Sequence, residues 1–338
     1  MTVNDLPKIS IIIPTRNEGK NIEKCLKSIL DNDYPRNKLR IIIVDGESED
    51  ETVELASKVF KNHPNVSFKI SKNPQKFTPH ALNIGIKEAE SDEIIVIVGA
   101  HNFISGNYLR IGIQTLLTHQ ADCVGGRGKC IHSSTHLIGR AIPLALNSVF
   151  GTGGSFRNLG EKGNVIEVDT VPSPIYKKSV FEKIGLFNEN LVRSQDMEFN
   201  LRLKKAGGKI LLVPDIIAYY YPKSNFKEFF VHNFKDGIWA IYPLKFVKIP
   251  LCLRHYIPFI FILSLLGTGL LGIFFPIFFW LFLFIFGSYF LVANYFSVKI
   301  STKEKDIRFL FLMPVAFACR HIGYGLGSIW GLIKIFFK

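Results

Sequence analysis

Residues 93–102 read EIIVIVGAHN, five consecutive aliphatic side chains that break off abruptly at Gly99-Ala100-His101-Asn102. A short, unbroken Ile/Val run predicts a strand buried on both faces, as in a parallel sheet covered by helices. Ligands of such open sheets sit just beyond the carboxyl ends of the strands. The close-packing Gly99-Ala100 pair is followed by two side chains that can meet a metal or a hydroxyl. This corner is therefore expected to be the floor of an active site.

The stretches before it repeat the pattern. Residues 9–13 form a second aliphatic run that stops at Pro14-Thr15-Arg16-Asn17-Glu18, and residues 40–44 form a third that ends in Asp45-Gly46. Between them, Ile22, Cys25, Leu26, Ile29 and Leu30 recur at helical spacing and predict one buried stripe over 21–30. Ser48-x-x-Glu51 predicts a capping box for a helix whose apolar face is Val53, Leu55, Ala56 and Val59. A shorter strand over 66–70 and a helix over 79–90 complete the approach to the central strand. Such repeats predict a parallel sheet with right-handed crossovers. The chain has no G-x-G-x-x-G after its first strand and no G-x-x-x-x-G-K-[ST] anywhere, which argues against dinucleotide and P-loop chemistry. The strand ends offer Glu18, Asp45 and His101 instead. Carboxylates accept hydrogen bonds from a base N–H or from ribose hydroxyls, and a diphosphate beside them then needs a metal or basic residues.

Composition divides the 338 residues unevenly. Residues 256–298 contain no Asp, Glu, Lys or Arg over 43 positions, enough for two spans of about 20 residues joined by a turn near Pro276. A third apolar stretch, 309–333, carries Arg320-His321 at its centre, costly if it faced lipid, so a buried, re-entrant or interfacial segment is expected. The net charge of +13 does not point to nucleic acid, because Lys245, Lys248 and Arg254 precede the first span and Lys299, Lys303, Lys305 and Arg308 follow the second. That is the positive-inside pattern, and it predicts a multi-pass protein of the cell membrane with its catalytic domain cytoplasmic. Five cysteines without a CxxC pair suit a reducing compartment, and the N-terminus has no apolar signal segment. The expected division is a catalytic domain over 1–224, an amphipathic interfacial segment over 225–255 and a transmembrane region of two to three helices over 256–338. Residues 225–248 mix Phe226, Phe229, Phe230, Phe234, Trp239 and Tyr242 with Lys227, Lys235 and Lys245, a composition suited to membrane lipid.

PTRNE after the first strand, VDGESEDET after the second and LNIGIKEA before the central one resemble family 2 glycosyltransferases of the GT-A fold. FGTGGSFR (150–157), the long stretch 168–215 and HIGYGLG (321–327) extend the likeness to the succinoglycan-type exopolysaccharide glucosyltransferase branch, over essentially the whole chain. The resemblance implies an α/β fold with a mixed nucleotide-binding sheet, followed by transmembrane helices. It implies a nucleotide-sugar pocket at Pro14, Thr15, Asn17, Glu18, Asp45, Asn83, Gly99 and Ala100. The first Asp of the family's Asp-x-Asp motif falls on Gly99 and the second on His101, so a divalent Mn or Mg ion would be met by His101 rather than by an acid. Ser194-Gln195-Asp196 aligns with the family's Glu-Asp pair, which gives Asp196 the role of general base; the bland alternative is that Ser194 and Asp196 only cap a helix over 191–206. Gly151-Thr152-Gly153-Gly154 reads as a flexible turn or acceptor-site lip more readily than as a phosphate cradle. The implied reaction is inverting transfer from a UDP-sugar to a lipid-linked or growing glycan acceptor. A polyprenyl-phosphate glycosyl synthase and a catalytically degenerate scaffold are the rivals.

Overall fold

The computed structural model describes residues 6–89, 93–132, 136–153, 155, 157, 163–245 and 253–337, so Gly154, Lys248 and Cys252 lie outside the described residues. In chain order the elements are β1 (Ile9–Thr15), α1 (Ile22–Leu30), β2 (Leu39–Asp45), α2 (Thr52–Lys61), β3 (Ser67–Lys72), α3 (Thr78–Glu88), β4 (Ile94–Ile97), β5 (Asn102–Ile104), α4 (Tyr108–Thr118) and β6 (Cys123–Cys130). There follow α5 (Leu137–Leu146), α6 (Val149–Thr152), β7 (Ile166–Glu167), β8 (Ile175–Lys177), α7 (Ser179–Ile184), α8 (Gln195–Lys205), β9 (Ile210–Tyr220), α9 (Phe226–Ile241), α10 (Ile257–Gly272), α11 (Pro276–Glu304) and α12 (Arg308–Phe337). They fall into two compact units, Met1–Lys129 with Leu159–Tyr220, and Cys130–Asn158 with Tyr221–Lys338.

The first unit is built on a mixed sheet of order β3-β2-β1-β4-β8-β6-β9-β5, with β7 on β9. Its first four strands are parallel, and β8 then runs antiparallel to β4. The aliphatic runs explain the parallel half, since every strand there must be covered twice. Ile11 and Ile13 of β1 join Ile22, Leu26 and Ile29 of α1 in the main core. Ile12 faces the other way, beneath α3, where a Cβ on Gly85 would collide with its side chain. β4 is buried throughout, and its hydrogen-bonded strand ends at Ile97.

Two local expectations are corrected. The Ser48–Glu51 capping box does not form: α2 starts at Thr52, its cap residue Glu51 makes no side-chain cap bond, and the Ser48 hydroxyl donates to Asp45 instead. The helix expected from 191 begins at Gln195, because Ser194 adopts a left-handed conformation (φ 60°) that interrupts the chain just before it.

In the second unit, Leu253–Gly272, which is α10 with the short helical turn before it, α11 and α12 are each long and apolar enough to cross a membrane. The turn between α10 and α11 falls at 273–275, with Pro276 opening α11 as expected. Trp280, Phe284 and Leu291 of α11 are 67%, 71% and 71% exposed, a surface that suits hydrocarbon and not water. α12 is one continuous helix whose central polar pair is matched internally. Arg320 donates to Asn233 of α9 and lies 3.8 Å from Asp236, while His321 bonds the Phe150 carbonyl at 3.0 Å and the Tyr289 hydroxyl at 3.1 Å. Gly323, Gly327 and Gly331, four residues apart, lie against the backbone of α9 at Phe230, Phe234 and Ile238, where a Cβ would be tightly placed at Gly323 and would clash at Gly327 and Gly331. The HIGYGLG stretch is thus a helix-packing seam of small residues.

Candidate active site

The carboxyl edge of the parallel half gathers three loops of the first unit. Strand register sets Thr15 beside Asp45, and the Gly46 amide donates to the Thr15 carbonyl at 2.8 Å. The loop after β1 is then stitched to the loop after β2. The Asn17 amide donates to Ser48 Oγ (2.9 Å), Asn17 Oδ1 accepts from the Glu49 amide (2.9 Å), and the Glu18 amide donates to Thr52 Oγ1 (2.8 Å). Asn17 holds a positive φ of 53°, a conformation tolerated best by Gly and Asn. The third loop is the Gly99–Asn102 turn, closed by an Asn102 amide to Gly99 carbonyl bond of 2.8 Å. Ala100 is buried in that turn, and the buried Cys25 thiol donates to the Gly99 carbonyl from below at 3.7 Å. Burial, aided by the nearby Glu18 charge, pushes that thiol up to about 12, so it serves as packing and not as a nucleophile.

Asp45 is buried, and among the described residues its carboxylate takes two hydrogen bonds, Ser48 Oγ to Oδ1 at 2.6 Å and the Ser48 amide to Oδ2 at 3.0 Å. A carboxylate has about four acceptor positions, so Asp45 retains capacity for a ligand donor. Thr15 turns inward, its hydroxyl donating to the Ile13 carbonyl at 3.0 Å, and Pro14 pairs in register with Val44 inside the sheet.

Glu18 and His101 meet at this edge, with Glu18 Oε1 3.0 Å from His101 Nδ1. Burial pushes the Glu18 carboxyl up, but hydrogen bonds from His101 and from Asn21 (2.7 Å) outweigh it and hold the group below its ordinary value. The His101 ring also meets the edge of Tyr220, at the end of β9, with centroids 5.6 Å apart. An ionised carboxylate can only accept, so Nδ1 carries a proton, and in the neutral ring Nε2 is the nitrogen with the lone pair. That is the arrangement of a metal-binding histidine oriented by an acid. Among the described residues, no group of three or more His, Cys, Asp or Glu side chains could enclose an ion. An ion brought by a diphosphate would find His101 as the ligand of this turn, with phosphate oxygens and water completing its shell.

Asn83 is a buried residue of α3. Its carboxamide donates to the Phe187 carbonyl and Glu189 Oε1, both at 2.9 Å, and accepts from the Phe187 amide at 3.0 Å, so it braces the 187–189 loop against α3. Arg202 of α8 holds the same loop through the Ile184 and Leu186 carbonyls.

That loop leads to Asp196, exposed in the first turn of α8. Ser194, the cap residue, makes no side-chain cap bond. Asn200, one turn further on and therefore on the same helix face, donates to Thr170 Oγ1 (2.9 Å) and accepts from the Tyr176 hydroxyl (2.7 Å). Pro174, in the segment that runs from Thr170 to β8, accepts from the Ile97 amide at the end of β4 (2.9 Å). Asn200 thus ties the helix to Thr170 and to Tyr176 of β8, the strand that pairs with β4. The sequence does not single out Ser48, Thr52, Thr170 and Asn200 as site residues, and of these Asn200, four places after Asp196, carries a periodic signal.

Gly151 and Thr152, expected in a flexible turn, lie instead in a helix. Residues 149–152 form the short helix α6, capped by the Ser148 hydroxyl accepting from the Gly151 amide at 3.0 Å.

The chain is 33% identical over 269 residues, 78% of its own length and 82% of the other's, to a Methanococcus voltae dolichyl N-acetyl-alpha-D-glucosaminyl phosphate 3-beta-D-2,3-diacetamido-2,3-dideoxy-beta-D-glucuronosyltransferase. It is 28% identical to the succinoglycan biosynthesis protein ExoA of Rhizobium meliloti over 67% of each chain. Its fold is similar to that of a mannosyltransferase from Pyrobaculum calidifontis, solved with GDP-Man and Mn2+, with a TM-score of 0.60, 17% identity and coverage of 97% of this chain and 88% of that one. Residues 10–185 match the model of glycosyl transferase family 2, and with the Methanococcus relative this shows that the chain belongs to that family and is a glycosyltransferase.

Proposed function

We propose that the protein moves a sugar from a nucleotide-sugar, with UDP as its nucleotide, to a lipid-linked or growing glycan acceptor, inverting the anomeric carbon. The observation that supports this reading most is that Asp45 and the Glu18–His101 pair stand at one sheet edge of the first unit, in a chain that matches glycosyl transferase family 2. In this reading Asp45 accepts a hydrogen bond from the base or ribose, while Pro14, Thr15, Asn17, Gly99 and Ala100 shape the pocket in which the nucleoside sits. One-step inversion needs the acceptor hydroxyl in line with the leaving diphosphate and a base for its proton, a role we assign to Asp196. A divalent Mn or Mg ion, when bound, would neutralise charge on the departing diphosphate. His101 Nε2 would hold it.

The lipid-linked acceptor is supported by the Methanococcus relative's name and by three helices able to cross a membrane. We take residues 1–224 as catalytic, 225–255 as interfacial and 256–338 as the membrane region. The basic residues beside the spans support a cytoplasmic catalytic domain in a multi-pass protein.

The test is a panel of UDP- and GDP-sugars given to the purified, detergent-solubilised protein with Mn2+ and a membrane lipid extract. Sugar incorporated into the lipid fraction with release of nucleoside diphosphate is expected. No turnover with any donor would contradict the reading and favour the degenerate scaffold.

A further inference from the structure

We propose that Glu18 is a positioning residue for metal binding: it locks His101 in the tautomer that leaves Nε2 free to meet a divalent ion on the donor's diphosphate. The inference rests on the glycosyltransferase reading of this edge and adds to it a role for a residue otherwise assigned to the nucleoside pocket.

The Gly99-Ala100-His101-Asn102 turn contains no acid, so it brings no negative charge of its own to a cation. The nearest carboxylate the geometry supplies to His101 comes from the neighbouring loop, through the 3.0 Å bond between Glu18 Oε1 and Nδ1. Glu18 is itself held from three directions. Its amide donates to Thr52 Oγ1 at 2.8 Å, its carbonyl accepts from the Asn21 amide at 2.8 Å, and its Oε2 accepts from Asn21 Nδ2 at 2.7 Å. The Glu18 side chain is 20% exposed and that of His101 is 47% exposed, so the acid lies beneath and the ring faces solvent. Tyr220 limits the ring from the side. An acceptor fixed at Nδ1 makes the imidazole more basic and sets its plane, and loss of such an acceptor typically costs 10- to 100-fold in metal affinity. Both main-chain anchors of Glu18 survive replacement of its side chain, so the substitution is readable without unfolding the loop.

The experiment measures Mn2+ binding to the full-length protein in detergent, by the loss of the free-ion electron paramagnetic resonance signal, with UDP or GDP present. Glu18→Ala and His101→Ala should each weaken Mn2+ binding about 10- to 100-fold. Glu18→Gln should lose less, because its carboxamide oxygen still accepts from Nδ1. His101→Asp supplies a ligand without a tautomer, so adding Glu18→Ala to it should leave Mn2+ affinity unchanged. Equal losses in both backgrounds would make Glu18 a direct ligand or a fold residue and overturn the proposal. So would a Glu18→Ala protein that binds Mn2+ like wild type, or a wild type that binds none. These outcomes leave the transferase reading intact, since that reading stands on donor turnover.

Discussion

Glu18 Oε1 lies 3.0 Å from His101 Nδ1, joining residues 83 positions apart at the ends of two adjacent parallel strands. The contact follows from topology: β1 and β4 run side by side, so the loops that leave them emerge at one edge. It gives an otherwise acid-free turn an acidic neighbour. The charged acceptor also decides which imidazole nitrogen can face a ligand.

Asp45 sits one strand over, with acceptor capacity beyond its two bonds from Ser48. A hydrogen bond to a charged group is worth about 1.5 to 3 kcal/mol. Asp45→Ala should therefore weaken UDP binding about tenfold or more. Calorimetry that found unchanged affinity would move the nucleoside pocket elsewhere.

Asn83 of α3 is engaged within the protein. The family likeness sets it in the donor pocket, whereas its carboxamide is spent on Phe187 and Glu189. Asn83→Ala would strand the buried Phe187 amide at a cost of about 1 to 3 kcal/mol. A lowered melting temperature with UDP affinity near wild type is expected. Tenfold weaker UDP binding without any thermal shift would return Asn83 to the pocket.

The parallel half of the sheet was legible because Ile9, Ile11, Ile12, Ile13 and the run from Ile94 to Ile97 satisfy a simple demand, burial on two faces. The edge was legible in its carboxylates and illegible in its pairings. Ser48-x-x-Glu51 has the spacing of a cap, but Asp45, three residues earlier, offers the Ser48 hydroxyl a charged acceptor and takes it. Glu18 and His101 pair through the fold, which no spacing along one chain encodes. The antiparallel half rests on short strands such as β7 and β8, too brief to show a period. HIGYGLG was noticed as part of a family likeness, and its physical content is a seam between α12 and α9.

The exposed aromatic and aliphatic surface of α10 and α11 has no counterpart in a water-soluble protein. Membranes washed with alkaline carbonate should retain the protein in the pellet. Release into the supernatant would show that these helices do not cross a bilayer.

Most direct is the measurement on Asp196, which tests whether the edge performs glycosyl transfer with a carboxylate base. Asp196→Asn keeps the shape and the helix start and removes the basic oxygen. With the donor that wild type turns over, transfer to acceptor should fall by about 10² to 10⁴, the usual contribution of a general base, while nucleotide-sugar affinity stays near wild type. A variant that keeps more than roughly a tenth of the turnover, against that 10² floor, would contradict the account. It would make an already anionic acceptor, which needs no base, the better reading.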